Sequence, residues 1–157
     1  MSAAAPAIYV RIGSAPRLGW AGRVFALALA GVCLAVLVTA AGISPDPRGV
    51  GTHTQLGLAP CQFEARLGIP CPTCGMTTSF AHFVRGQLLA SLYVQPFGPV
   101  LALAAAMAVW GGIYVGWTGR PVYRMLRLTR GVGWLIPLFA AVILAWGWKM
   151  FTHVRGS

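Results

Sequence analysis

The chain alternates long apolar runs with short segments that carry arginine, and three of the runs predict membrane-spanning helices. The runs cover residues 24–43, 96–118 and 131–148, and none of them contains a charged side chain. Because an α-helix rises about 1.5 Å per residue, each run can cross a hydrocarbon layer about 30 Å thick. The pattern therefore predicts an all-α membrane protein with three transmembrane helices, forming a single domain over residues 1–157.

The first apolar run also admits a second interpretation, as the apolar core of a cleaved signal peptide. Val38, Thr39 and Ala40 resemble the small-residue site at which such peptides are cut. The run is long for a signal peptide, however, and it follows a long arm. A retained first transmembrane helix is therefore favoured.

Arginine is concentrated beside the apolar runs, and its distribution predicts the orientation of the chain. The arm of residues 1–22 with the adjoining Arg23, and the loop of residues 119–130, together carry seven arginines and no acid. Such segments stay in the cytoplasm, so segment 44–95 and the tail 149–157 are expected outside. The net charge of +10 is therefore expected to interact with the anionic head groups of the lipid bilayer rather than with nucleic acid. We expect a multi-pass protein of the bacterial inner membrane with a cytoplasmic amino terminus.

Residues 76–92 show helical periodicity and predict one amphipathic helix at the membrane surface. Five apolar side chains recur at every fourth position: Met76, Phe80, Val84, Leu88 and Leu92. The opposite side of this helix is polar, and Arg85 there is expected to contact solvent or lipid head groups. Upstream, residues 48–60 show no periodicity and predict a loop.

Three of the four cysteines lie just before this helix, with the spacing C-x9-C-x2-C. They are Cys61, Cys71 and Cys74. A turn at residues 68–70 can fold the chain back, so the three thiols are expected to converge. The fourth cysteine, Cys33, lies inside an apolar run and is expected to be a small buried side chain rather than a site residue.

Convergence of the cysteines leaves three chemistries open. In the first, Cys61 forms a disulfide with Cys71 or Cys74, which stabilises the loop by restricting its unfolded state. In the second, Cys71 and Cys74 form a redox pair whose pKa is lowered by the amino terminus of the following helix. In the third, all three cysteines hold a metal ion such as zinc, with His53 as a further ligand.

Small residues recur along one face of the second apolar run. They are Ala104, Ala108, Gly112 and Gly116, four residues apart. Such a stripe lets two helix backbones approach closely. It predicts a helix-packing face, which we expect to dock on another membrane subunit.

From Cys61 onward the sequence resembles the small bacterial membrane proteins known as domain of unknown function 2752. The matching residues are Cys61, the run Cys71-Pro72-Thr73-Cys74-Gly75-Met76-Thr77, the step Arg85-Gly86, and Pro96. The family pattern has an arginine where this chain has Thr78, so no role of that arginine carries over. The resemblance extends to about Trp117 and implies a shared membrane module without a particular activity.

These features together favour a role without catalysis. We expect an accessory or structural subunit of a larger membrane complex, whose outer loop is stapled by cysteines or by a metal. We assign no catalytic residue. The alternatives are a membrane thiol–disulfide oxidoreductase and a zinc-binding membrane protein. An oxidoreductase coupled to quinone would normally carry a second C-x-x-C pair, and the sequence has none.

Overall fold

The computed structural model describes residues 17–120 and 135–156, and within these ranges the fold is helical without strands. A 3-10 helix covers Thr52–Leu56. The α-helices are α1 (Trp20–Gly42), α2 (Gln62–Leu67), α3 (Met76–Val84), α4 (Leu88–Val94), α5 (Phe97–Thr118) and α6 (Leu135–Gly156). The all-helical fold class is therefore as predicted.

Two helices of the described part, α1 and α5, are long and apolar enough to cross a membrane. They have 23 and 22 residues and correspond to the first two predicted spans. The apolar part of α6 is shorter and covers Ala140–Thr152. This helix continues to Gly156, so the predicted tail is mostly helical. The start of the predicted third span, most of the arginine loop and most of the amino-terminal arm lie outside the described residues.

α1 and α5 pack antiparallel, and two glycines of the small-residue stripe lie at their contact. A methyl group at Gly112 would lie 2.5 Å from the carbonyl oxygen of Ala26, and one at Gly116 would collide with a leucine side chain of α1. Ala104 is exposed and Ala108 is half-buried. The glycines are thus used for packing inside the chain, and the expectation that they face another subunit is replaced by this contact.

Two arginine side chains cap the carboxyl ends of the long helices α1 and α5. Arg23 donates hydrogen bonds to the carbonyl oxygens of Gly116 (2.8 Å) and Trp117 (3.1 Å) at the end of α5. Arg85 does the same for α1 and also donates to the Ala81 carbonyl of α3 (2.7 Å). Its acceptors at the end of α1 are the carbonyl oxygens of Ala40, Ala41 and Ile43. The positive charge neutralises the negative end of each helix. Arg85 therefore binds backbone carbonyls, rather than only solvent or head groups as expected.

The single amphipathic helix predicted over residues 76–92 is wrong, because the chain forms a hairpin of two short helices. α3 ends where Gly86 adopts a left-handed conformation, with φ of 75°. The amide of Gln87 donates to the His82 carbonyl (3.0 Å), and the amide of Gly86 donates to the Phe83 carbonyl (2.9 Å). This pair of bonds is the Schellman arrangement that terminates a helix at glycine. α4 then folds back against α3.

The hairpin buries small polar side chains and exposes large apolar ones. Ser79 and Ser91 are fully buried and donate to each other's carbonyl oxygens at 2.9 and 2.8 Å. Gly98 of α5 packs against Ser79 so closely that a methyl group there would collide with the hydroxyl. On the outside, Leu88 is 51% exposed and Leu89 is 84% exposed. Only Leu88 of these two belongs to the predicted apolar stripe, whose members in α3, Met76, Phe80 and Val84, are half-buried.

Candidate metal centre

The three cysteines that precede α3 converge, as the sequence predicted. The sulfur atoms of Cys61, Cys71 and Cys74, called the cysteine cluster below, lie within 4.8 Å of one another. The Cys71 thiol donates a hydrogen bond to the Cys74 sulfur at 3.2 Å, and no disulfide joins these three residues. Cys74 is buried, whereas the other two are half-buried. Cys33 lies apart from them in α1 and is half-buried rather than fully buried.

A tight turn before α3 presents Cys71 and Cys74 to each other. The Cys74 amide donates to the Cys71 carbonyl at 3.0 Å. The following residue, Gly75, has φ of 84° and packs on the Gly49 backbone, where a methyl group would lie 2.7 Å from the carbonyl oxygen. A residue with a side chain would meet both the conformational cost of positive φ and this clash. Glycine is therefore required for the turn to seat against the loop that begins at residue 44.

Cys61 reaches the cluster through α2, a short helix that the sequence analysis did not predict. The helix begins right after Cys61, whose carbonyl accepts from the Ala65 amide at 2.9 Å. Gly68 then adopts a positive φ of 67°, and Pro70 is fully buried just before Cys71. The chain thus reverses at residues 68–70, as expected. Six residues are too few for apolar periodicity to reveal such a helix.

α6 supplies side chains that hold the cluster's backbone from the far end of the sequence. The Trp146 indole donates to the Pro70 carbonyl at 3.1 Å. The Lys149 ammonium donates to the Gly49 carbonyl at 3.0 Å, and Lys149 is only 4% exposed. This ammonium would touch a methyl group placed at Gly75, at 3.0 Å. Sequence reasoning assigned Lys149 to an outer tail and missed its contact with the turn.

Two further polar contacts fix the frame around the cluster. The Gln95 side-chain amide donates to the Pro72 carbonyl, between the two cysteines of the turn, at 2.9 Å. The hydroxyls of Thr52 and Thr78 share a hydrogen bond of 2.7 Å, and both residues are buried. This bond joins the 3-10 helix to α3. The turn is therefore held from α3, from the 3-10 helix and from the segment before α5.

The surroundings of Cys74 do not activate it as a thiolate. Burial raises the pKa of the Cys74 thiol above its ordinary value, and hydrogen bonding to Cys71 and Cys61 raises it further. The redox interpretation expected the opposite direction, from the positive end of the α3 dipole. Cys74 lies before the first residue of α3 and is largely desolvated, so the cost of burying a negative charge dominates.

An open cavity of about 310 Å³ adjoins the cluster. His53 and Thr73 lie in its wall together with the three cysteines. The Thr73 hydroxyl is 3.3 Å from the Cys71 sulfur. The His53 Nε2 lies 3.2 Å from the Ala59 carbonyl, and the ring does not join the group of converging sulfur atoms. The cluster thus offers three sulfur donors and one side that faces the cavity.

A family model matches the segment that carries the cluster. Residues 61–109 match the family described as "Protein of unknown function (DUF2752)". The match begins at Cys61, contains α2, α3 and α4, and ends inside α5. It confirms the family resemblance drawn from the cysteine spacing. Neither the curated proteins nor the solved structures gave a match to this chain.

Proposed function

We propose that this protein is anchored in a membrane and that its cysteine cluster binds a thiophilic divalent metal ion, with zinc as the first candidate. The observation that carries the proposal is the approach of three thiols to within 4.8 Å of one another. A tetrahedral zinc ion with bonds of about 2.3 Å to sulfur separates its sulfur ligands by about 3.8 Å. Small side-chain adjustments therefore suffice to form the site.

The donor set suits zinc and leaves one position for a further ligand. Thiolates are ligands of zinc and other soft ions, whereas magnesium and calcium prefer oxygen. Closed structural zinc sites have four protein ligands, and sites with three keep a position for exchange. The cavity beside the cluster gives access to that position, and His53 in its wall is the nearest candidate for a fourth protein ligand. A bound ion would join Cys61 to the turn and stabilise this segment.

Burial supports the membrane anchor. Only 11% of the most apolar window of α1 and 22% of that of α5 are buried in the protein. The core helix of a soluble protein would be mostly buried, so these faces need an apolar solvent. α1 also packs on α5, and Arg23 caps the end of α5. These contacts favour retention of α1 over cleavage as a signal peptide.

We further propose three crossings, with α6 as the third, and the cluster on the outer side of the bacterial inner membrane. The amide of Leu18 donates to the Gly119 carbonyl at 2.8 Å. Residues 17–19 and 119–120, the described ends of the two arginine-rich segments, therefore adjoin at one end of the α1–α5 pair, while the cluster lies at the other. Docking to a larger membrane complex stays part of the proposal. Because α1 occupies the stripe's glycines, a partner would use another face.

Metal analysis tests the proposed site. The protein is purified in mild detergent without chelator, and its zinc content is measured by mass spectrometry. We expect close to one zinc ion per chain. Cys61→Ser, Cys71→Ser and Cys74→Ser should each lower the zinc content sharply, because each removes a thiolate. Cys33→Ser is the matched control and should retain the wild-type content, since Cys33 lies outside the cluster.

The same samples separate the metal site from the alternatives. Peptide mapping that finds a disulfide between Cys61 and Cys71 or Cys74, in protein without metal, would replace the proposal with a structural staple. A disulfide between Cys71 and Cys74 that exchanges with added dithiol would instead support a thiol–disulfide oxidoreductase. Their separation of 3.2 Å is compatible with closure, but the raised pKa of Cys74 disfavours it as the attacking thiolate.

A further inference from the structure

An apolar groove lies beside the cavity of the cysteine cluster. It runs between the second half of α1 and the face of α3, and it encloses about 440 Å³. Val32, Val36 and Phe80 are among its lining residues. Met76 and Thr77 line both the groove and the cavity of the cluster. The groove and the cavity of the cluster are therefore neighbours, with the start of α3 in the wall of both.

The length of the groove matches one leaflet of a bilayer. On α1 it extends from Val32 to Ile43, which at about 1.5 Å per residue is about 16 Å. Half of a hydrocarbon core is about 15 Å thick. Val32 and Val36 are 62% and 46% exposed, so the groove is open along its side. A chain lying in the bilayer can therefore enter it laterally and reach the end where the cluster lies.

One basic side chain beside the cavity, Lys149, suits an anionic head group. Lys149 lies beside Gly75, whereas Arg48, which lies beside Gly51, forms an ion pair with Asp46 at 2.9 Å. The Asp46 carboxylate is itself 3.7 Å from a methyl group placed at Gly51. Both of these glycines line the cavity, and the described residues of its wall include no acid. Thr73 and Thr77 also line the cavity and carry hydroxyl groups. A phosphate at this position would therefore lie near the Lys149 ammonium and the Thr73 and Thr77 hydroxyls, next to the apolar groove.

We infer that the groove holds one acyl chain of a membrane phospholipid and that a head-group oxygen of this lipid reaches the open position of the cysteine cluster. The head-group contact rests on the proposed metal site, whereas the acyl-chain contact rests on the groove alone. A phospholipid carries an acyl chain and a polar head group, so one molecule can occupy both the groove and the cavity. The protein would then bind a lipid at a thiolate-bound metal ion.

A matched pair of substitutions on α1 tests the apolar end. Val36→Trp fills the groove, whereas Val38→Trp adds the same bulk two residues away, outside the groove, where Val38 is 62% exposed. Each full-length protein is reconstituted into vesicles of phosphatidylethanolamine and phosphatidylglycerol and then extracted in mild detergent. Native mass spectrometry counts the phospholipids that remain bound. We expect one retained lipid in wild type and in Val38→Trp, and a loss of about tenfold or more in Val36→Trp.

Zinc content and circular dichroism of the same samples separate the outcomes. Equal retention in all three proteins, equal loss in both variants, or retention of an isoprenoid quinone instead of a phospholipid overturns the inference. Should Val36→Trp lose its helical signal, Ala35→Leu, a smaller substitution in the same groove, replaces it. Removal of zinc by a chelator should also weaken retention in wild type. In a further outcome, only Val36→Trp loses its lipid, but none of the proteins contains zinc. That result would support the acyl-chain groove and would refute both the metal site and the head-group contact.

Discussion

At the scale of single residues, Gly75 is the position on which the geometry of the cysteine cluster most directly depends. Gly75→Ala should destabilise the protein by about 2–3 kcal/mol, since it combines positive φ with a clash at the Gly49 carbonyl. Gly86→Ala is the control: Gly86 also has positive φ, but a methyl group there meets nothing within 4 Å. It should cost only about 1 kcal/mol. Thermal unfolding in detergent measures both, and equal costs would contradict the steric part of the argument.

The protonation of Cys74 gives a second prediction, for protein stripped of metal. Because its pKa in the folded protein is raised above the ordinary value of 9.0, the folded state holds the thiol proton more tightly than the unfolded state. This contribution is complete below pH 9 and is lost as the pH rises further. The melting temperature should therefore fall above that pH, and Cys74→Ala should reduce the fall.

When zinc is present, the affinity of the cluster for zinc should rise with pH because the thiol ligands must lose their protons. Melting curves that do not depend on pH would refute the raised pKa.

At the scale of elements, the contact of α1 with α5 depends on the absence of a side chain at Gly112. Gly112→Leu should separate the two helices, because its side chain would overlap the Ala26 carbonyl and the Ala30 methyl group. We expect a loss of about 3 kcal/mol or more. Gly111→Leu places the same side chain one residue away, where nothing lies within 4 Å, and should be nearly neutral. Thermal unfolding of both variants decides this, and a stable Gly112→Leu protein would contradict the packing.

The hairpin of α3 and α4 shows why periodicity alone predicted the wrong element. Apolar residues recur every fourth position across Arg85-Gly86-Gln87, so the stripe appears continuous although the chain turns there. The stop signal was present in Gly86, since glycine commonly terminates a helix in the left-handed conformation. Apolar periodicity also does not show which polar side chains pack inside the protein. Here Ser79 and Ser91 occupy the interior, a pattern that suits a helix pair in apolar surroundings.

At the scale of the whole molecule, the proposed orientation predicts which surfaces are accessible from outside the cell. In a background without native cysteines, Thr54→Cys should react with a membrane-impermeant maleimide in intact cells, because Thr54 lies near the cluster. Arg120→Cys should react only after the cells are opened. Both positions are exposed in the structure, so burial does not limit labelling. The reverse pattern would invert the topology.

The cluster was predictable only as far as local spacing determines it. Cys61, Cys71 and Cys74 lie within one short segment, so a turn between them was enough to expect convergence. Trp146 and Lys149 reach the same turn from α6, 76 and 100 residues away from their acceptors. No local pattern connects positions so far apart, and a lysine after an apolar run ordinarily indicates a helix end at the membrane surface. Contacts of this kind depend on how the helices pack.

The two arginines that close the long helices limit how the protein can respond to bilayers of different thickness. Arg23 and the α1 carbonyl of Ala41, bonded to Arg85, are 18 residues apart along α1, which is about 27 Å. Sliding α5 along α1 by one turn, about 5.4 Å, would break the bonds of Arg23 to the end of α5. The α1–α5 helix pair therefore has a fixed length and a fixed register. Hydrophobic mismatch with a thicker or thinner membrane is accommodated by tilting the pair or deforming the lipid, and not by changing helix register.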